Sequence, residues 1–259
     1  MHHIRNRSED VIMLDILNNI DSQKKLSVAM VLFHRVTLLD LIGPATALGF
    51  HADVHLVAKT MDPVASDQGV KILPTCTFDE CPKDLDVLFV PGGVGVLDAM
   101  MDLELLHFVR DRGERAGYVT SVCTGSLIQG AAGLLKGYEA TTHWGWHEVL
   151  SSLGAIPVKK RVVHDRNRVS GGGVTAGLDF GLGLLAILRG EEAARTVQLM
   201  MEYDPEPPFD VGTPDKAGRA TVENAQRVLN ATAECRIMID RQKELGFPLE
   251  RNLSSNASA

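Results

Sequence analysis

Along the chain, short continuous apolar runs alternate with stretches of helical spacing. Leu26 to Phe33, "LSVAMVLF", reads as a buried strand, and Asp53 to Lys59, Asp86 to Val90 and Tyr118 to Val122 read the same way. Leu41 to Phe50 and Gly125 to Leu135 predict helices. Glu104 to Arg115 carries Leu105, Leu106 and Val109 on one face and charges on the other, the pattern of an amphipathic helix. Glu139 to Thr142, Val158 to Val163 and Arg168 to Ser170 are further strand candidates, the last running into Gly171-Gly172-Gly173. Thr175 to Leu188 and Glu191 to Tyr203 predict two helices. Four prolines mark a loop from Pro205 to Pro214, and Lys216 to Leu245 predicts one long polar-faced helix. Residues 1–23 predict a flexible arm and residues 249–259 a disordered tail. Residues 24–248 then form a single domain that includes the long C-terminal helix.

Continuous apolar strands alternating with helices predict an α/β protein whose mostly parallel sheet is covered on both faces. No linker divides the chain and no repeat recurs in it. Ligands of such sheets bind beyond the carboxyl ends of the strands. Three segments end there with marked chemistry: Phe33 before Asp40, Val122 before Cys123, and Ser170 before the triple glycine.

Composition narrows the function classes. The 259 residues are 45% hydrophobic and 23% charged, ordinary globular usage. A net charge of -7 without a basic stripe argues against nucleic acid. No apolar run approaches the roughly 20 residues a membrane span needs, and "MHHIRNRSED" lacks the apolar core of a signal peptide, so a cytoplasmic location is expected. Four dispersed cysteines do not make a disulfide framework. Cys76 and Cys81, spaced C-x4-C, lack a second pair, so no metal is expected. Cys235 shares helical spacing with Val228, Ala231 and Met238 and reads as a packing residue.

Cys123 differs in context. In "VTSVCTGS" an apolar strand stops at the thiol and small residues follow, as in a strand-to-helix nucleophile elbow. The helix after it would lower the thiol pKa, and the Thr124 N–H would face charge forming on a substrate. A buried structural cysteine closing a core strand fits the same spacing. Asp40, in "LLDLIGP", is either a helix N-cap or a proton-transferring carboxyl beside the thiol. His143, in "ATTHW", is either a base for Cys123 or a hydrogen-bonded wall residue, and Trp144, Trp146 and His147 form an aromatic cluster of the kind that lines pockets. The triple glycine permits close backbone approach but is neither a P-loop nor a dinucleotide fingerprint.

Six segments, "LLDLIGP", "DVLFVPGG", "SVCTGSLIQGAAGLL", "EATTHW", "VSGGGVTAGLDFGLGL" and "MMEYDPEPPF", occur in order between about residues 26 and 245. Together they resemble the ThiJ/PfpI-like, class I glutamine amidotransferase-like superfamily, and within it the isonitrile hydratases. AraC-type regulators share "ATTHW" and "GGG" but continue into a helix-turn-helix, whereas this chain continues into one predicted helix. The N-terminal arm departs from the pattern.

The resemblance implies a flavodoxin-like three-layer sandwich and a hydro-lyase that adds water to an isonitrile. Cys123 would be the nucleophile and Asp40 its acid/base partner. The Thr124 amide and the turn of Gly172, Gly173 and Val174 would receive the activated atom, with the Thr124 hydroxyl as a second hydrogen-bonding group. His143 and Trp144 would border the substrate, His143 without completing a triad. The resemblance also implies a homodimer with no metal or organic cofactor. The alternatives are another cysteine enzyme of the superfamily, glyoxalase-like, deglycase-like or peptidase, and a regulatory protein whose Cys123 oxidises.

Overall fold

The computed structural model describes residues 24–229. Eleven strands appear in chain order: β1 (Leu26–Val31), β2 (Ala52–Ala58), β3 (Val64–Ala65), β4 (Lys71–Ile72), β5 (Cys76–Thr77), β6 (Val87–Val90), β7 (Tyr118–Val122), β8 (Glu139–Ala140), β9 (Ile156–Pro157), β10 (Val162–Asp165) and β11 (Arg168–Gly171). Seven of them form one sheet in the order β10-β11-β7-β6-β1-β2-β5. Every pairing in it is parallel except β10 with β11. Strands β3 and β4, and β8 and β9, make two small separate ladders.

Helices cover both faces, which is why the central strands β1, β6 and β7 are buried along almost their whole length. Val28, Met30, Val87, Leu88, Phe89 and Val90 are fully buried. On one face the helix Ala176–Arg189 packs against Leu38–Leu48 and Glu191–Met200. On the other lie Val96–Met101, Leu103–Arg115, Gly125–Ala131 and His147–Ser152, in mutual contact. The result is the expected three-layer α/β arrangement. Gly181 lets the first pair of helices meet: a Cβ there would stand 2.9 Å from the Ala47 Cβ and 3.2 Å from the Pro44 Cα.

Several predicted boundaries move. The helix expected from Leu41 starts at Leu38, with Thr37 as its N-cap, and the helix expected to reach Leu135 stops at Ala131, before Gly133 at φ 81°. Of the strand expected over Val158 to Val163, only Val162 and Val163 belong to one, β10, and β9 ends before it at Pro157. The long helix expected from Lys216 is interrupted: a turn at Pro214–Ala217 ends at Gly218, whose φ of 74° suits glycine, and Arg219–Leu229 follows. The rest of that helix, the arm, the tail and Cys235 lie outside the described residues.

Candidate active site

The carboxyl ends of β1, β6, β7 and β11 converge, and each supplies one part of a buried site. Strand β7 ends at Val122, and the chain turns through Cys123 at φ 56° before the helix Gly125–Ala131 begins. This left-handed conformation is uncommon away from glycine and is the strained turn of an elbow. It is held on both sides. The Cys123 N–H is shared between the carbonyls of Gly171 and Gly172, at 3.0 and 2.8 Å. Its carbonyl accepts from the hydroxyls of Thr142 at 2.9 Å and Ser126 at 3.2 Å. Neither hydroxyl was singled out by sequence reasoning, although both stand in the quoted motifs.

Asp40 is the third residue of its helix and 0% exposed. It is not the N-cap, because Thr37 occupies that position. Instead the Gly92 N–H, just beyond β6, donates to Asp40 Oδ2 at 3.0 Å. Oδ1 is buried without a well-formed hydrogen bond, and the carboxyl stands close enough to the Cys123 thiol for each to shift the other's ionisation. Gly92 sits between them: a Cβ there would lie 2.6 Å from the Thr124 nitrogen, 2.7 Å from the Cys123 Cβ and 2.8 Å from Asp40 Oδ2.

Burial dominates the electrostatics of this pair. It raises the Asp40 pKa to about 7, opposed by hydrogen bonding to Cys123 and Gly92, while the charge of Asp67 adds to the rise. Burial also pushes the Cys123 thiol far above its ordinary value, and the neighbouring Asp40 charge adds to this. The Thr124 and Val174 N–H groups, both directed at the sulfur, act in the opposite sense and are outweighed. The expected lowering by the helix terminus is therefore corrected. A thiol only 6% exposed loses more by desolvation than two amides return.

Thr124 plays a different part from the one expected of its hydroxyl. Oγ1 accepts from the Gly93 N–H at 3.0 Å and donates to the Gly93 carbonyl at 3.3 Å, tying the elbow to the end of β6. Its backbone N–H faces the sulfur.

The remaining expected residues line a cavity of about 440 Å³. Gly172, Gly173, Val174, His143 and Trp144 all line it, whereas Cys123 and Asp40 do not. Val174 joins the two regions, since it borders the cavity and directs its N–H at the sulfur, with a φ of 31°. His143 packs against Gly173, where a Cβ would come within 2.7 Å of the imidazole Cδ2. Its Nδ1 accepts from the Gly145 N–H at 3.3 Å, and burial lowers its pKa. His143 thus borders the cavity beside Trp144, the two rings tilted by 35° at 5.5 Å between centres.

Among the described residues, no three His, Cys, Asp or Glu side chains are grouped to hold a metal ion. No helix among them is long and apolar enough to cross a membrane.

The DJ-1/PfpI family profile matches residues 26–187. Isonitrile hydratase of Pseudomonas putida is 52% identical over 204 residues, 78% of this chain and 89% of that protein. The transcriptional regulator GbdR of Pseudomonas aeruginosa is 29% identical over 155 residues, 58% of this chain and 41% of that one. The crystal structure of a ThiJ/PfpI family protein from Pseudomonas syringae superposes with a TM-score of 0.80 at 47% identity, covering 93% of this chain and 97% of the other. By its matched residues, its relatives and its fold, the chain belongs to the DJ-1/PfpI family.

Proposed function

We propose that the protein is an isonitrile hydratase, a hydro-lyase that converts an isonitrile and water to an N-substituted formamide. The observation that carries this reading is the buried Asp40–Cys123 pair beneath two amides aimed at the sulfur. The similarity to the Pseudomonas putida enzyme supports it.

The chemistry follows from the ionisation of the pair. With Asp40 near 7 and the thiol far higher, the state poised at neutral pH is a carboxylate beside a neutral thiol. Asp40 takes the thiol proton as the sulfur attacks the terminal isonitrile carbon, so no free buried thiolate has to persist. The new carboxylic acid then delivers that proton to the same carbon, giving a thioimidate, R–N=CH–S–Cys123. Water, deprotonated by the regenerated carboxylate, adds to the thioimidate carbon, and the nitrogen takes up a proton. Cleavage of the C–S bond releases R–NH–CHO and returns the thiol. Each transferred proton has a place on Asp40, Cys123 or water, so the route calls on no metal or organic cofactor. The Thr124 and Val174 amides, with the turn at Gly172 and Gly173, hold the developing charge, and the cavity bordered by His143 and Trp144 takes the R group.

A redox-regulatory role gains no support from the site. Oxidation favours an exposed thiolate, and Cys123 is enclosed and held protonated. The reading extends to a cytoplasmic homodimer. The exposed apolar side chains of Leu199, Phe209 and Val228, all after Glu191, support self-association. Light scattering at micromolar concentration is expected to give about twice the 28.1 kDa chain mass, and a monomer throughout that range overturns the dimer. The activity itself is tested by infrared loss of the isonitrile stretch with mass-spectrometric appearance of the formamide. No conversion of aliphatic or aromatic isonitriles overturns it.

A further inference from the structure

The cavity beside the dyad has one wall whose charge opposes that of the protein. Lys159, Lys160 and Arg161 run consecutively along it in a chain of net charge -7. Two backbone hydrogen bonds fix this segment to the nucleophile. The Cys123 N–H donates to the Gly172 carbonyl, and the Gly172 N–H donates to the Arg161 carbonyl, each at 2.8 Å. The basic wall therefore stands at the same strand ends as the sulfur.

The three cations are not equivalent. Arg161 is already held: its Nε is paired with Asp179 and its guanidinium donates to the Thr175 carbonyl at 3.1 Å. Tyr203, from the "EYDPEPPF" motif, donates to the same Asp179 carboxylate at 3.2 Å and completes the clamp. Lys159 and Lys160 are exposed, and among the described residues neither has a carboxylate within ion-pair distance. Among the described residues, Asp215 is the single acidic one in the lining. His143 and His147 add no charge at neutral pH, since burial lowers both, and the nearby Lys159 ammonium lowers His147 further. Trp144, Val174, Ala176 and Pro214 add apolar lining, and Val174 also directs its N–H at the sulfur. The cavity thus combines an apolar lining with a cationic stretch and meets the dyad through Val174.

Resting on the hydratase reading above, we infer that the preferred substrate is an isonitrile whose R group ends in a carboxylate, held by Lys159 and Lys160. Both ammonium groups are solvated, so the selectivity is modest, and it weakens with ionic strength. Arg161 positions the segment through its clamp to Asp179 and Thr175.

The test compares 4-isocyanobenzoate with its methyl ester, one rigid frame with and without the charge. The expected kcat/KM ratio favours the acid by about threefold to tenfold at low salt, carried in KM, and falls towards one in about 1 M salt. In the double variant Lys159→Gln, Lys160→Gln the ratio is expected near one at any salt. Equal turnover of both compounds by the unmodified protein, or a preference for the ester, overturns the inference and leaves the hydratase reading standing. If neither compound is hydrated, and aliphatic isonitriles are not converted either, the hydratase reading falls. Calorimetric binding of 4-formamidobenzoate and its methyl ester then decides the cationic wall alone. Tighter binding of the anion, lost in the double variant, supports the wall, and equal binding overturns it.

Discussion

The Gly92 N–H donates to Asp40 Oδ2 at 3.0 Å, and that bond helps hold the carboxyl beside the Cys123 thiol. It joins the end of β6 to the first turn of the helix Leu38–Leu48, so the acid/base group and the nucleophile are set by two different strand ends. The geometry leaves no space for a side chain at position 92.

Gly92→Ala is therefore expected to damage both stability and rate. Its methyl group meets the Thr124 nitrogen and the Cys123 Cβ, which cannot swing aside, and the buried Asp40 carboxyl. Overpacking of this kind costs about 1–3 kcal/mol, and a displacement of about 1 Å at reacting groups costs about 10²-fold in rate. Thermal denaturation and turnover of the folded variant check the two effects separately. Wild-type turnover would show that the dyad tolerates displacement.

The raised Asp40 pKa makes a signed prediction about activity. The attack step needs the carboxylate as base, so kcat/KM should rise with pH through about 7. Asp40→Asn should lose about 10²–10⁴-fold in rate and with it this acidic limb. A pH–rate profile of the unmodified enzyme that is flat from pH 5 to 8 contradicts the assignment.

The same shift predicts stability. A carboxyl whose folded pKa is raised from 3.8 to about 7 holds more protons folded than unfolded between those values. Its contribution is most favourable below about pH 4, declines as pH rises through the window, and stays low above about 7. Asp40→Asn removes this decline. The melting temperature of the variant relative to wild type should therefore increase between pH 4 and 8, a comparison in which the opposite histidine effects cancel. A constant difference would place the carboxyl pKa near its ordinary value.

Replacing the nucleophile separates the cysteines. Cys123→Ser is expected to lose more than about 10³-fold in turnover, because a serine hydroxyl beside one carboxylate is a weak nucleophile. Cys76→Ser and Cys81→Ser, at buried positions around β5 on the far edge of the sheet, should retain it. Mass spectrometry of the unmodified protein trapped during turnover should find the adduct on Cys123.

Thr124 distinguishes a hydroxyl that binds substrate from one that binds backbone. Thr124→Val leaves the buried Gly93 N–H without its acceptor, at about 1–3 kcal/mol, whereas Thr124→Ser keeps both bonds. Denaturant midpoints should fall for valine and hold for serine. The KM of the serine variant should stay close to wild type.

Much of this architecture could be read in the linear order of residues. A continuous run such as Val28 to Val31 or Val87 to Val90 is apolar on both sides of its strand, and only a sheet covered on both faces makes that favourable. The spacing at Cys123 left two readings open, an elbow and a buried structural cysteine, and the strained turn at φ 56° is seen only in the fold. Boundaries set by one residue's conformation, such as the break at Gly218, were not legible either, because glycine is also tolerated within helices.

What the sequence determined by itself, then, were local periodicity, strand ends and the types of reactive group placed at them. Tertiary structure alone decided their ionisation and division of labour. Asp40 could have been a cap until Gly92, 52 residues away, donated to it. Cys123 sits at a helix terminus that favours its thiolate, yet the layers packed over it remove the water that would solvate the charge. His143 lies on a cavity wall because Gly173 admits its ring. Desolvation and the meeting of distant segments depend on the whole packed chain, and no local pattern of residues encodes their magnitude.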